Sequence, residues 1–453
     1  MALPLAAIIH AWLLRNSIDF MSKEKRVVIT GIGPLASTGI GKDAFWDGIL
    51  QKRTGLSLKK IKVNGETWES FYAHTIEDFD FTEFNIDKAA LAYIKEWKEE
   101  DLPIDLYYLI AAVALALKDS EINYEDEDND IGLVLTHENM GLMELVFKLS
   151  HQSFDILRNE TEPPLSRKQF YEKLYRGCLK SGYDVQTFMT LFHVAKVFNI
   201  HNYSLFINNA CASGLYALES AAQMIKCGQN SAVVVAASDY TELYKYLWFR
   251  DLGLYSSDGQ IRPFCNDSNG LVFGDGGVGI VLEDLEHAQR RNADIYAEYL
   301  GGGFSMEGWK VTTPQIGSDS YQKAILKAFK QSGVSKDEIE LLIPHGVGSQ
   351  AIDYYESKAI TSVFGSNPER PLITTFKPYI GHNLGGSALL ETAILLLSLK
   401  KKIVLPTLNC LNPDPKFNIS LVREKIETEL NTVMKICCAF AGYNAAVVFK
   451  RLN

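Results

Sequence analysis

The chain has 453 residues, 47% of them hydrophobic and 22% charged, with a formal net charge of −10. That profile is of an ordinary globular protein long enough for two fused halves, and its acidity argues against general nucleic-acid binding, which needs a basic face. Seven cysteines at irregular spacing, with no Cys-x-x-Cys pair, indicate neither a zinc site nor a disulfide framework and fit a reducing cytoplasm.

In chain order, residues 1–14 form an apolar run interrupted only by His10 and ending at Arg15. A membrane span takes roughly 20 apolar residues, and a secretory signal carries a basic start that is missing here. No membrane span is therefore expected. Met21 stands just before Ser-Lys-Glu-Lys-Arg and a strand pattern, so residues 1–21 read as a dispensable extension. The alternative is an amphipathic helix against a partner or a membrane surface.

Strand patterns over Arg26–Thr30, Ile131–Leu135, Ser231–Val235 and Val278–Leu282 alternate with helical ones such as Leu215–Ile225 and Ala388–Leu399. The acidic run Glu125–Asp128 reads as a solvated loop before its strand, and no low-complexity linker divides the chain. Alternation of this kind predicts an α/β fold with buried sheets.

The halves also match one another. Ile131–Thr136 ends at His137 as Leu341–Pro344 ends at His345. The run Leu205–Cys211, a small-residue turn and the helix from Leu215 are paralleled by Leu372–Lys377, a Gly/His turn and the helix from Ala388. Gly279–Leu285 likewise parallels Ala446–Leu452. Two related halves, 22–292 and 293–453, are expected to meet at a shared site, with the boundary near Arg291–Asp294.

Four segments carry chemistry. In Asn209-Ala-Cys211-Ala-Ser-Gly214 a strand delivers a cysteine among small residues to a helix start. Free N–H groups and the helix dipole there favour an anion, and such a position is expected to lower a thiol pKa from about 8.5. A buried structural cysteine is the plain alternative. Pro344-His345-Gly-Val-Gly-Ser349, with Asp353 and Glu356 beyond it, puts an imidazole on a loop. Phe376-Lys377-Pro-Tyr-Ile-Gly-His382 flanks a tight turn with a lysine and a histidine, and Glu391 follows in the next helix. Ala439-Phe440-Ala-Gly-Tyr-Asn444 is a small-residue turn before the last strand. Each is weak alone; the ordered set is specific.

That set resembles the elongating β-ketoacyl-acyl-carrier-protein synthases, condensing enzymes of the thiolase fold, over about Lys25 to Leu452. The resemblance rests on Arg26-Val-Val-Ile-Thr-Gly-Ile-Gly, Ala210-Cys-Ala-Ser-Gly, Arg262-Pro-Phe, Gly270-Leu-Val-Phe-Gly-Asp-Gly-Gly, His345-Gly, Lys377 with Gly381-His382, and Pro406 to Pro413. It implies a thiolase-like fold of duplicated αβαβα layers. Cys211 would take an acyl group from a carrier-protein thioester. His345 and His382 would bind the malonyl thioester oxygen as CO2 leaves, and the N–H groups of Cys211 and Phe440 would form the oxyanion hole. Lys377 would pair with Glu356 to hold the histidines, Asp353 and Glu391 would support them, and Phe440 would gate the pocket. No metal and no cofactor is expected. The implied partners are an acyl carrier protein, loaded with acyl or malonyl groups, and a second subunit, either a copy of this chain or a ketosynthase-like chain-length factor.

The chain also departs from the family. Val347 stands where a threonine is usual, Asp275 replaces a longer acid, and Tyr443 and Ala441 make the terminal turn bulkier. Lys98-Glu-Glu-Asp101 is acidic where a basic carrier-docking cluster is common, which points to docking through other residues or a partner. The stretch Ser150–Tyr183 is longer than usual and is expected to reshape the dimer face or the acyl pocket.

Rival readings are weaker. A non-catalytic chain-length partner usually lacks the nucleophile, which is present here. A thiolase uses a second cysteine as base, whereas two histidines match here. Gly31-Ile-Gly33 mimics a dinucleotide fingerprint, but Pro34 and the basic Gln51-Lys-Arg53 do not fit it. The sequons at Asn159 and Asn418 have no secretory context.

Overall fold

The computed structural model describes residues 25–452 apart from 64, 85, 87–101, 127–128, 139, 159–164, 179–181 and 183–184. The extension 1–21, the acidic stretch Glu99–Asp101, Asn159 and parts of the runs 125–128 and 150–183 therefore lie outside the described residues.

One continuous 11-stranded sheet dominates, and its two halves are called the first and second sheets. The first half supplies β1 (Val27–Ala36), β2 (Ile131–Thr136), β3 (Ser204–Ile207), β4 (Ala232–Asp239) and β5 (Gly276–Asp284). From the second come β6 (Ala297–Met306), β7 (Leu341–Ile343), β8 (Leu372–Ile373), β9 (Thr432–Cys438) and β10 (Tyr443–Lys450). Hydrogen bonding runs β8-β7-β9-β10-β6-β1-β5-β4-β2-β3, with the short strand Gly39–Ile40 beside β1. Within each half the order is the same: third, second, fourth, fifth, first. Directions repeat as well. β2 is parallel to β3 and β4, as β7 is to β8 and β9, and every other neighbour on the path is antiparallel. The two halves are joined where Val27–Ile29 pairs with Ala297–Tyr299.

Strands β2, β4 and β5 are buried on both faces, which is why they read as continuous Val/Ile/Leu/Ala runs rather than as alternation. Helix α1 (Ile104–Ser120) covers the outer face of the first sheet; α3 (Ser320–Ser332), next to α4 (Gln350–Phe364), covers that of the second. Between the sheets lie α2 (Ser213–Lys226) and α5 (Ser387–Lys401), touching each other and strands of both sheets. Glycine is required at their crossing, because a Cβ on Gly214 would come within 2.5 Å of Leu389 Cγ. The layers are thus αβαβα, as the resemblance implies.

Two strands are shorter than the patterns predict. β3 stops at Ile207 and β8 at Ile373, and the residues beyond them form the turns that carry Cys211 and Lys377. Between β2 and β3 the chain inserts helices Leu142–Arg158, Arg167–Gly177 and Thr187–Val197, which leave Phe147, Phe154, Leu157, Tyr175 and Phe188 exposed. Among the described residues no helix is long and apolar enough to cross a membrane.

Candidate active site

Asn208 Oδ1 accepts from Ala210 N (3.2 Å), while Ser213 Oγ accepts from Asn209 N (2.7 Å) and donates to Ala210 O (2.6 Å). These bonds hold Ala210 in the left-handed region at φ +51°, a conformation that persists only where its surroundings enforce it. The turn sets Cys211 immediately before Ala212, the N-cap of α2. Among the described residues neither the Cys211 N–H nor the Phe440 N–H donates to a backbone carbonyl. The thiol corrects one expectation. Burial, reinforced by Glu138 and Cys437, pushes it well above its usual value, and Lys377 and the Cys211 N–H only partly oppose this. Resting Cys211 is a neutral thiol.

His345 follows β7, and His382 follows the short helix Lys377–Ile380. His382 N donates to Val272 O (2.8 Å) and His382 O accepts from Gly274 N (3.2 Å). The chains cross so closely that a Cβ on Gly274 would lie 1.9 Å from Ile380 O. This crossing brings Phe273-Gly-Asp-Gly and Gly381-His382 of this chain together. Cys211 Sγ and one ring nitrogen from each histidine lie within 4.8 Å of one another. The imidazoles are nearly perpendicular, 78° apart with centroids at 5.3 Å. His382 Nδ1 meets Ser387 Oγ at 2.8 Å, and His345 Nδ1 faces Cys437 Sγ at 3.4 Å. With the Nδ1 atoms assigned as acceptors from these groups, each ring carries its proton on Nε2 and can donate it to a ligand. Burial first, then the positive charges of Lys377 and Lys435, hold both rings well below 6.5, so both are neutral.

The expected pairing of Lys377 with Glu356 is not what the structure contains. Lys377 Nζ donates to Glu391 Oε1 (2.8 Å) and to His345 O (2.6 Å), all fully buried. Glu356 lies under its own loop on α4 and accepts from His345 N, Gly346 N and Tyr321 OH, each at 2.7 Å. Three donors already occupy it, whereas Glu391 projects from α5 towards the lysine. Asp353 accepts from Phe264 N (2.8 Å) and Gly348 N (3.2 Å), tying the Arg262-Pro-Phe segment to the histidine loop. Its burial pushes the carboxyl up to about 8. The Val347 side chain packs with Ile261, Leu271 and Phe273 and offers His345 no hydrogen bond, while its backbone N–H reaches Asp353.

Sequence reasoning missed four neighbours: Ser387, Cys437, Glu138 and Lys435. Lys435 Nζ meets Glu391 Oε2 at 2.7 Å as an ion pair without an aligned hydrogen bond, and donates to Pro344 O (3.0 Å) and Ile436 O (2.9 Å). A signal was present, since a lysine stands inside the otherwise apolar pattern Val433–Cys438.

Phe440 closes the cleft. It stacks on Phe249 at 5.3 Å and meets the edge of Trp248 at 5.9 Å. Ala441 follows at φ +60°, with its N–H bonded to Val311 O at 2.6 Å. Cys211, His345, His382 and Phe440 share the cleft with Leu254 and Pro314, and the free space at its centre is about 30 Å³. That admits about two water molecules. One thiol and two imidazoles are also ligand types for a soft metal ion.

Residues 24–288 match the family described as Beta-ketoacyl synthase, N-terminal domain, and residues 296–411 match Beta-ketoacyl synthase, C-terminal domain. The 3-oxoacyl-[acyl-carrier-protein] synthase 2 of Staphylococcus aureus (strain N315) is 26% identical over 96% of this chain and 100% of its own length. The fold resembles that of the ishigamide ketosynthase/chain length factor, with a TM-score of 0.80 at 24% identity over 95% of this chain and 100% of that one. It also resembles AntDE:AntF, a type II PKS acyl-carrier protein in complex with its ketosynthase, with a TM-score of 0.73 at 22% identity over 95% and 100%. With both domain matches spanning most of its length and a duplicated thiolase-like fold, this chain belongs to the beta-ketoacyl synthase family.

Proposed function

We propose that the chain is an elongating β-ketoacyl-acyl-carrier-protein synthase, an acyltransferase that condenses an acyl group with a malonyl unit. The observation that carries this is the Cys211 thiol beside two neutral imidazoles, all within 4.8 Å. Cys211 attacks the acyl-carrier thioester, and the thiol proton passes to the departing carrier thiolate. Because the resting thiol is neutral, this proton leaves as the acyl group arrives, not before. Malonyl-carrier protein then loses CO2, and the C–C bonding electrons become an enolate whose oxygen accepts from Nε2–H of His345 and His382. The enolate carbon attacks the acyl-Cys211 carbonyl, whose oxyanion is held by the N–H groups of Cys211 and Phe440. Collapse expels the Cys211 thiolate, and one proton restores the thiol. Lys377, Glu356, Asp353 and Glu391 position the histidines, Phe440 gates entry, and neither metal nor cofactor takes part.

We assign the nucleophile to half 22–292 and the histidines to half 293–453. The carrier docks through residues other than the acidic Glu99–Asp101 stretch, or with a partner's help. The second subunit is a copy of this chain or a ketosynthase-like chain-length factor. The exposed edge of β3 and the aromatic residues of the inserted helices support such an interface. Seven free cysteines fit a cytoplasmic site of action.

A non-catalytic chain-length role is disfavoured by the complete set Cys211, His345, His382 and Lys377. The deciding experiment is intact-mass analysis after incubation with acyl-carrier protein. Wild type gains one acyl mass, and Cys211→Ala gains none. A Cys211→Ala protein that still becomes acylated would sink the assignment. Mass analysis of the chain carried by captured carrier protein then separates fatty acid from polyketide elongation.

A further inference from the structure

Two buried lysines clamp one carboxylate behind the histidines. Lys377 and Lys435 reach opposite oxygens of Glu391, at 2.8 and 2.7 Å, and none of the three side chains is exposed. Each lysine also donates to one of two consecutive carbonyls, Lys435 to Pro344 O and Lys377 to His345 O. Glu356, also buried, grips the N–H groups of His345 and Gly346 from the other side. Glu391 and Glu356 are thus two carboxylates buried behind the histidines, of which Lys377 by itself balances one. A buried lysine in an apolar strand is costly to desolvate and persists where a specific partner requires it.

We propose that Lys435 is a positioning residue for the condensation: it fixes the Pro344-His345 segment and supplies the second positive charge that Glu391 and Glu356 together require. This inference rests on the roles proposed above for His345 and His382. The fixed charges grouped behind those rings are Lys377, Lys435, Glu356 and Glu391. Cys211 and Cys437 adjoin them, each ring faces the other, and Glu138 beside Cys211 and Asp353 beyond Glu356 are pushed up by burial to about 7 and about 8. Without Lys435 the fixed charges of that set sum to one negative. An excess negative charge draws protons onto the imidazoles, and an imidazolium stabilises the malonyl carboxylate that must be lost as well as the enolate that forms. Neutral rings act selectively on the enolate.

The test compares wild type with Lys435→Met in the full chain, following CO2 release from malonyl-carrier protein and condensation across pH. The expected result is a kcat about ten- to a hundredfold lower at neutral pH, with KM for malonyl-carrier protein little changed. The acidic limb of the pH profile moves up by about one unit or more, and acylation of Cys211 is kept. Glu356→Gln added to Lys435→Met restores the charge count and moves the limb back, which a merely structural role would not do. Should Lys435→Met fail to fold, Lys435→Gln takes its place. An acidic limb that coincides with wild type, or a rate loss that tracks only the fall in Tm, overturns the inference. Failure of the underlying reading looks different: wild type itself would show no acidic limb, and His382→Ala would still release CO2.

Discussion

Replacing Glu391 with glutamine tests the buried clamp at its centre. Lys377 and Lys435 lie 2.8 and 2.7 Å from its two oxygens, and no water reaches any of the three side chains. Glutamine keeps the shape and removes the charge, leaving two ammonium groups facing each other across one amide. At a separation of about 5 Å and an effective dielectric of about 20, their repulsion is about 3 kcal/mol. That agrees with the 3 to 5 kcal/mol typical of breaking a buried ion pair. The sign of the pH dependence is distinctive. In the folded variant one lysine is pushed below its unfolded value of about 10.4, so between those two values the unfolded chain binds more protons. The variant's stability should therefore rise with pH through that window, whereas wild type gains nothing from this source. Urea denaturation from pH 7 to 10 measures it. A Glu391→Gln protein within about 1 kcal/mol of wild type at pH 7, with no rise at higher pH, would refute the clamp as described.

Changing His345 or His382 to alanine should stop CO2 release while leaving Cys211 acylation largely intact; one lost donor costs about 3 kcal/mol of barrier, roughly a hundredfold in rate. Loss of acylation with normal decarboxylation would reverse the assigned roles. Ala441→Gly removes a side chain held at φ +60° and should stabilise the turn by up to about 1 kcal/mol, with equal or faster turnover if Phe440 is the gate; slower turnover in a more stable protein would contradict the gate. Acid should destabilise the fold below pH 6.5, because His345, His382 and His74 are buried neutral and the unfolded chain binds more protons there. His74, depressed from 6.5 to about 4, accounts for about 3 kcal/mol lost across that interval, and stability that stays flat from pH 6.5 to 4 would exclude this. Prolonged treatment with EDTA should leave turnover unchanged; a loss restored by zinc would make the Cys211, His345 and His382 cluster a metal site.

Most of the fold was legible in the sequence because it is written twice. The runs Ile131–Thr136 and Ala232–Val235 are apolar on both faces, and such runs specify buried strands with little ambiguity. The reactive residues were legible for a related reason: Cys211, Lys377 and His382 stand in turns where small residues or glycine are sterically required, as at Gly274 and Gly214. Strand ends were less legible. Leu205–Cys211 and Leu372–Lys377 look extended throughout, yet side-chain hydrogen bonds such as Ser213 to Ala210 O bend the first of them early.

The identity of ionic partners was least legible, and the reason is geometric. Spacing along the chain brought Glu356 to notice because it lies about two helix turns past the histidine loop, but a carboxylate that near in sequence is also near the loop's backbone N–H groups, and those capture it first. Glu391 lies fourteen residues beyond Lys377 on the central helix, and only the crossing of α2 and α5 fixes which way it points. Lys435 comes from yet another element. Cys211 errs in the same direction. Its place before α2 argued for an easily ionised thiol, and burial, a property of the assembled layers, outweighs the helix terminus. Burial thus favours the protonated form of the Cys211 thiol. The two histidines are held neutral first by burial and then by Lys377 and Lys435, and only the second of these lysines escapes a reading of local motifs.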